Sequence, residues 1–254
     1  CPFSEIIRGA WSARGNWYVF VGVNVDRTVY SLHAVDATGS IDCVADVGAA
    51  GFPLSQNMSI VAAGDIVLGQ NHSGVAPAAF VWKPGGRFGP QALPVPFIGD
   101  DSLVATSDHE YLLTSQVPAR PDLVTLRNLD CNRSEGCVEL SARELATRPS
   151  FRRRLLRWGA ATAVLTQFSA DGSSAGLGIE LRFASAAGAP LGEGFAIVPW
   201  ASDGTTASVE FFGATVVPRS APALPTEMLI ALVVRYSDDA MGVELARVRG
   251  CTAR

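Results

Sequence analysis

The stretch Val29–Cys43, VYSLHAVDATGSIDC, is an alternating apolar run that turns at Asp36-Ala37-Thr38-Gly39 and resumes as a second short run. Alternation of this kind buries one face of a strand, and a tight turn rich in Asp and Gly returns the chain as an antiparallel neighbour. Whether it is a lone hairpin or one copy of a repeat decides the fold. Four relatives occur downstream: AAFVWKPGG ending at Gly86, LVTLRNLDCNRSEG at Gly136, IELRFASAAG at Gly188 and ALVVRYSDDAMG at Gly242. With Gly39 the five turn glycines lie about 47 to 54 residues apart, within the range of propeller-type repeats.

A second hairpin precedes each of these on the same beat: IIRGAWSARGNWYVF, SIVAAGDIVLG, LVATSDHEYLLT, LLRWGAATAVLT and VEFFGATVV. Two hairpins per repeat make four strands, the content of one propeller blade. The expected fold is therefore all-β, a five-bladed β-propeller of four-stranded antiparallel blades. It forms a single domain over 1–254, with approximate blades 4–50, 57–97, 101–146, 152–200 and 207–251. The alternative, two β-sandwich domains, also uses many short strands, but two sandwiches do not account for five units. The best helical candidate, SARELATR from Ser141 to Arg148, is short and stops at Pro149.

The periodic YSLHAVDATG-like turn resembles the outer hairpin of quinoprotein-like and related bacterial β-propellers, in which an apolar strand runs into Asp-x-x-Gly before the last strand of a blade. The resemblance implies a propeller fold. The tryptophan that often follows that turn in such blades is absent, so no quinone is carried over and no cofactor is expected.

Composition narrows the function classes. The net charge of -4 with 17% charged residues gives no electrostatic reason to bind nucleic acid. The longest apolar run, Met228–Val234, is far shorter than the roughly 20 residues of a membrane-spanning helix. Lys83 is the only lysine, and it lies between Trp82 and Pro84, which excludes a phosphate-binding P-loop. The scarcity of lysine beside abundant Ala, Gly, Arg and Val resembles a high-GC bacterial gene.

The cysteines at 1, 43, 131, 137 and 251 form no C-x-x-C and have no histidine at ligand spacing, so disulfides are expected and no metal site. Disulfides place the chain in an extracytoplasmic compartment: periplasm, outer-membrane surface or secreted medium. Cys131 and Cys137 bracket the long third turn and are expected to pair. Cys1 precedes the first inner strand and Cys251 follows the last outer one, so a Cys1–Cys251 bond would clasp a ring, leaving Cys43 buried and unpaired. The rival reading makes Cys1 the lipidated first residue of a lipoprotein.

Motifs for chemistry are sparse. Gly172–Gly176, GSSAG, matches G-x-S-x-G at Ser174, but strand-like runs flank it where a nucleophile elbow needs a helix. His33, His72 and His109 fall in different repeats, His33 within a strand as a structural residue. A glycoside hydrolase needs two carboxyl groups across the bond; the candidates near inner strands are Glu5, Asp100, Asp101 and Glu210, of which Asp100 or Asp101 with Glu210 is the pair to test. Trp11, Trp158 and Phe212 end three inner strands, where they either stack against a ligand or pack between blades. Arg152, Arg153, Arg154 and Arg157 form the densest positive cluster, suited to an acidic ligand. The expected function is a non-catalytic binding or scaffold module whose partner is another envelope or extracellular protein, or a glycan. The alternative is a carbohydrate-active hydrolase.

Overall fold

The computed structural model describes residues 1–11, 17–45, 58–63, 66–71, 78–85, 88–91, 103–107, 109–117, 120–132, 136–169, 176–199, 207–217, 227–236 and 238–249. These residues form strands and the turns that join them. Sheet one contains β1 (Glu5–Trp11), β2 (Trp17–Val23), β3 (Tyr30–Asp36) and β4 (Ile41–Ala45). Sheet two contains β5 (Met58–Ala63), β6 (Ile66–Asn71), β7 (Ala78–Trp82) and β8 (Phe88–Gln91). Sheet three contains β9 (Leu103–Ala105), β10 (Glu110–Val117), β11 (Arg120–Asn132) and β12 (Gly136–Ala146). Sheet four contains β13 (Ser150–Trp158), β14 (Ala161–Phe168), β15 (Gly178–Ser185) and β16 (Phe195–Ile197). Sheet five contains β17 (Ser208–Val217), β18 (Glu227–Arg235) and β19 (Met241–Arg249).

Each sheet is a meander in which sequence neighbours are spatial neighbours. No strand among the described residues crosses over as the Greek-key connections of two sandwiches would require. The cause is local, as the opening hairpin illustrates. Asp36 Oδ1 accepts hydrogen bonds from the Thr38 amide at 2.8 Å, the Thr38 hydroxyl at 2.7 Å and the Ser40 amide at 2.9 Å. Gly39 follows with φ of 81°, a conformation that costs a residue with a Cβ. Those bonds, the one from the Thr38 hydroxyl foremost, hold the Asp36 carboxyl below its usual pKa. Gly188 repeats the geometry in sheet four at φ of 80°, with the Ser185 hydroxyl accepting from the Ala189 amide at 3.1 Å.

Backbone contacts divide the chain into two compact units, one of residues 1–115 and 127–142, the other of 116–126 and 143–254. In the first, the leading strand of each sheet lies against that of the next, β1 beside β5 and β5 beside β9. In the second, β13 lies beside β17 in the same way. Leading strands that neighbour one another are how consecutive blades meet in a propeller. The first unit buries Val19, Val21, Val23, Leu32 and Ala34 on one face of sheet one. The second builds its core from Leu165, Ile179 and Leu181 of sheet four against Val209, Phe212, Ile230 and Leu232 of sheet five.

Two expectations are corrected, and the helical candidate, too short to convince in the sequence, is a strand. Ser141–Arg148 is no helix: its first six residues end β12, where Leu145 is buried between exposed Glu144 and Ala146, the alternation of a strand. VEFFGATVV is no hairpin but lies entirely within β17, with Gly213 opposite Ala231. A lone glycine without a neighbouring Asn, Asp or Pro does not force reversal, and Phe212 and Ala214 each bury a side chain in the core. Sheet five consequently has three strands among the described residues.

The second correction concerns Cys1, which is bonded to Cys43, not Cys251. Cys251 lies outside the described residues. Register brings Phe20 of β2, His33 of β3 and Cys43 of β4 into one row on one face of sheet one. The N-terminal segment lies over that row: the Ser4 amide donates to the Val23 carbonyl at 2.9 Å, and the Phe3 ring sits 5.0 Å from Phe20 and 4.7 Å from His33. Gly22 permits the approach, since a Cβ there would meet the Phe3 Cβ at 2.7 Å. A disulfide-bonded sulfur has no valence left for a thioether, so this bond and lipidation of Cys1 are mutually exclusive. Cys131 and Cys137 are joined across the β11–β12 hairpin, their Cα atoms 4.0 Å apart.

His33 is buried beneath Phe3, its ring stacked on Phe20 with centroids 4.8 Å apart and Nε2 2.7 Å from the Ser31 hydroxyl. Burial lowers its pKa below 6.5. The unfolded chain then binds the proton more readily, so this histidine's stabilisation is full above about pH 6.5 and is lost as pH falls through the folded pKa. Thermal unfolding followed from about pH 8 to pH 5 is expected to show Tm falling on acidification, and His33→Gln is expected to flatten that slope.

Candidate functional site

The arginine cluster lies on β13, the leading strand of sheet four, and strand alternation divides it. Arg152 and Arg154 stand opposite Gln167 and Leu165 on the face that carries the core, while Arg153 and Arg157 stand opposite Thr166 and Thr162 on the other. Arg152 and Arg157 are exposed, and the Arg157 Nε donates to the Gly159 carbonyl at 3.3 Å. Arg153 differs: its Nε and Nη2 are shielded from solvent and have no hydrogen-bond partner among the described residues. Burial alone lowers its pKa, though an arginine stays charged at any ordinary pH.

The row through Arg153 continues across the sheet to Thr166, Glu180 and Ala196. Glu180 is buried and already occupied. Its Oε1 accepts from Arg182 Nη2 at 3.0 Å and Nε at 3.2 Å, and its Oε2 from the Arg148 amide at 2.7 Å. Thr162 and Thr166 are buried on the same face, and neither hydroxyl has a partner among the described residues.

The aromatic candidates part company. Phe212 is 2% exposed within the core of the second unit, so its ring packs sheets and does not meet a ligand. Trp158 packs against that same core with its ring 5.7 Å from Phe183, and remains partly exposed at the end of β13. Trp11 ends β1; its side chain lies outside the described residues.

The carboxylates do not assemble into an acid–base pair among the described residues. Glu210, at a bulge in β17, accepts from Arg235 Nε at 2.9 Å on the surface. Glu5 accepts from Arg27 Nη2 at 2.7 Å, also exposed. Asp100 and Asp101 lie outside the described residues. Ser174 does too; β14 and β15, which flank it in sequence, are antiparallel neighbours, so the chain that follows it among the described residues is a strand and not the helix that an elbow requires. His109 is exposed 3.8 Å from Asp130, and His72 is outside the described residues. No group of three or more potential metal ligands occurs among the described residues, and no helix there is long and apolar enough to cross a membrane.

The sequence singled out the arginine run but not Arg153 within it. The signal was present: in a strand, three consecutive arginines must send one side chain to the opposite face from its neighbours.

No family model matches this chain, and no curated protein does. Solved structures do. A mutant of Aleuria aurantia lectin in complex with alpha-methyl-L-fucoside superposes with a TM-score of 0.52 at 13% identity, covering 95% of this chain and 76% of the lectin. The same lectin with Fucalpha1-6GlcNAc gives 0.53 at 13% identity, covering 95% of this chain and 77% of the lectin. Prolyl oligopeptidase B from Galerina marginata gives 0.50 at 10% identity, covering 91% of this chain but 30% of that one. These are β-propeller proteins, and likeness at such low identity establishes the fold: all-β, with four-stranded antiparallel sheets of the propeller kind.

Proposed function

We propose that this chain is an extracytoplasmic, non-catalytic binding module whose ligand is a glycan. The observation that carries the reading is the fold-wide likeness, over 95% of the chain, to a lectin in complex with fucosides. Propellers place function in loops grafted onto a common scaffold, so the likeness supports a class of ligand and no particular sugar. Arg152 and Arg157 are exposed on opposite faces of β13 and Trp158 is partly exposed at its end; each is a side chain of a kind that meets sugar hydroxyls or ring faces, though the strand does not gather them into one site. The pairing of Glu210 with Arg235 supports binding over hydrolysis, because that carboxylate is already engaged. Two disulfides support an oxidising compartment.

A glycan array probed with the disulfide-intact protein tests this. Retention on a chemically related set of glycans is expected. Retention on none, with capture instead by an envelope protein, would leave the scaffold reading in its place. The hydrolase alternative, Asp100 or Asp101 working with Glu210, would be recognised by shortened glycans on the array.

A further inference from the structure

On β19 alternate residues turn away from the core. Ala246 and Val248 pack against it, whereas Met241, Val243 and Leu245 on the opposite face are 54%, 68% and 75% exposed. Strand β18 extends this stripe inward, with Val233 beside Val243 and Ala231 beside Leu245, both half-buried. Apolar surface that is contiguous in this way gains free energy on leaving water and marks an interaction site, which a lone exposed leucine does not. β19 is also the end strand of its sheet among the described residues, a position that proteins ordinarily defend with charged side chains. Here the charges stand at the two ends of the stripe, and they differ in sign.

Just before Met241 the turn exposes Asp238 and Asp239. Asp239 Oδ1 lies 3.7 Å from Arg235 Nη1, and Arg235, which stands opposite Met241 in the ladder, also donates to Glu210. Glu210, Asp238 and Asp239 outnumber Arg235, so this end is net negative. At the other end Arg247 and Arg249 are exposed on the face of the stripe. Glu227, opposite Arg249, accepts from its Nε at 2.8 Å and offsets only one of the two, so that end is net positive. A face that is acidic at one end, apolar in the middle and basic at the other is complementary to itself when turned end for end. We infer that this face is the contact through which two copies of the chain associate, sheet five against sheet five, about a twofold axis that crosses β19 between Val243 and Leu245. The axis lays the apolar stripes against each other and sets Asp239 of each copy toward Arg247 of the other. An isologous contact of this kind closes on itself and stops at two copies.

This goes beyond the glycan reading and does not rest on it. Sedimentation velocity of the disulfide-intact protein from about 1 to 100 μM is expected to show monomer giving way to dimer and to nothing larger. Leu245→Asp places a charge in the middle of both stripes and is expected to raise the dimer Kd at least about tenfold. Its far-UV circular dichroism is expected to match the parent's, because the side chain it replaces lies largely in water. Arg247→Glu and Asp239→Lys are each expected to weaken the dimer as well, since a twofold contact then opposes like charges at both of its ends. Mixed in equal amounts, these two variants are expected to recover the dimer, because one copy of each restores opposite charges at both ends. A parent that stays monomeric at about 100 μM, a Leu245→Asp variant that dimerises as the parent does, assemblies that grow past two copies, or a mixture no better than its components would overturn the inference.

Discussion

Phe212→Ala is expected to lower the unfolding free energy by about 3–5 kcal/mol. Phe212 is the largest side chain in the core of the second unit and stands opposite Leu232 of β18, with Leu165 and Leu181 of sheet four in the same cluster. Its truncation removes apolar area from two sheets at once and leaves a cavity that strands held in their ladders cannot easily close. Domains are stable by only about 5–15 kcal/mol, so the loss is a large fraction of the whole. Phe212→Leu, which retains most of the volume, is expected to cost about 1.5 kcal/mol. Urea denaturation monitored by tryptophan fluorescence reads both. An alanine variant within 1 kcal/mol of the parent would mean that this ring is not at the centre of the core, and would restore it as a candidate for ligand contact.

Removal of the Cys1–Cys43 bond by the paired Cys1→Ser and Cys43→Ser substitutions is expected to cost about 4 kcal/mol. The estimate follows from the sequence separation of 42 residues, because the entropy that a cross-link removes from the unfolded chain grows with the loop it closes. The Cys131–Cys137 bond spans only 6 residues and is worth about 2 kcal/mol on the same basis. The larger effect has a local component too. The bond holds Phe3 over Phe20 and His33, and without it the segment is free to lift and let water reach the histidine. Reduction should therefore raise the pKa of His33 toward its ordinary value, visible in its proton NMR titration. Equal losses of Tm from the two cysteine pairs would contradict the arrangement.

The features legible in the sequence were those written in period and turn chemistry. Asp36 and Gly39 announce a tight turn because their side chains and backbone make it without help from the rest of the fold, and a turn of the same kind recurs at Ser185–Gly188. The pairing of Cys1 was not legible. A first and a last cysteine suggest a clasp when only chain order is considered, whereas the pairing is set by Phe3, Gly22 and His33, a fit of side chains over one sheet face that no spacing rule contains. VEFFGATVV misled for a related reason: its glycine reads as a turn until the burial of Phe212 and Ala214 on either side is known. The triple arginine was visible as charge, and alternation alone sets Arg153 on the other face from Arg152 and Arg154, but the shielding of its Nε and Nη2 depends on the fold around it.

The central claim, that this propeller-type chain binds a glycan without converting it, is tested most directly by calorimetric titration of the disulfide-intact protein with the strongest array ligand, followed by mass analysis of the recovered glycan. The account predicts a saturable isotherm and a ligand of unchanged mass. Heat that continues after each injection, together with a cleaved glycan, would contradict it, as would the absence of any binding heat.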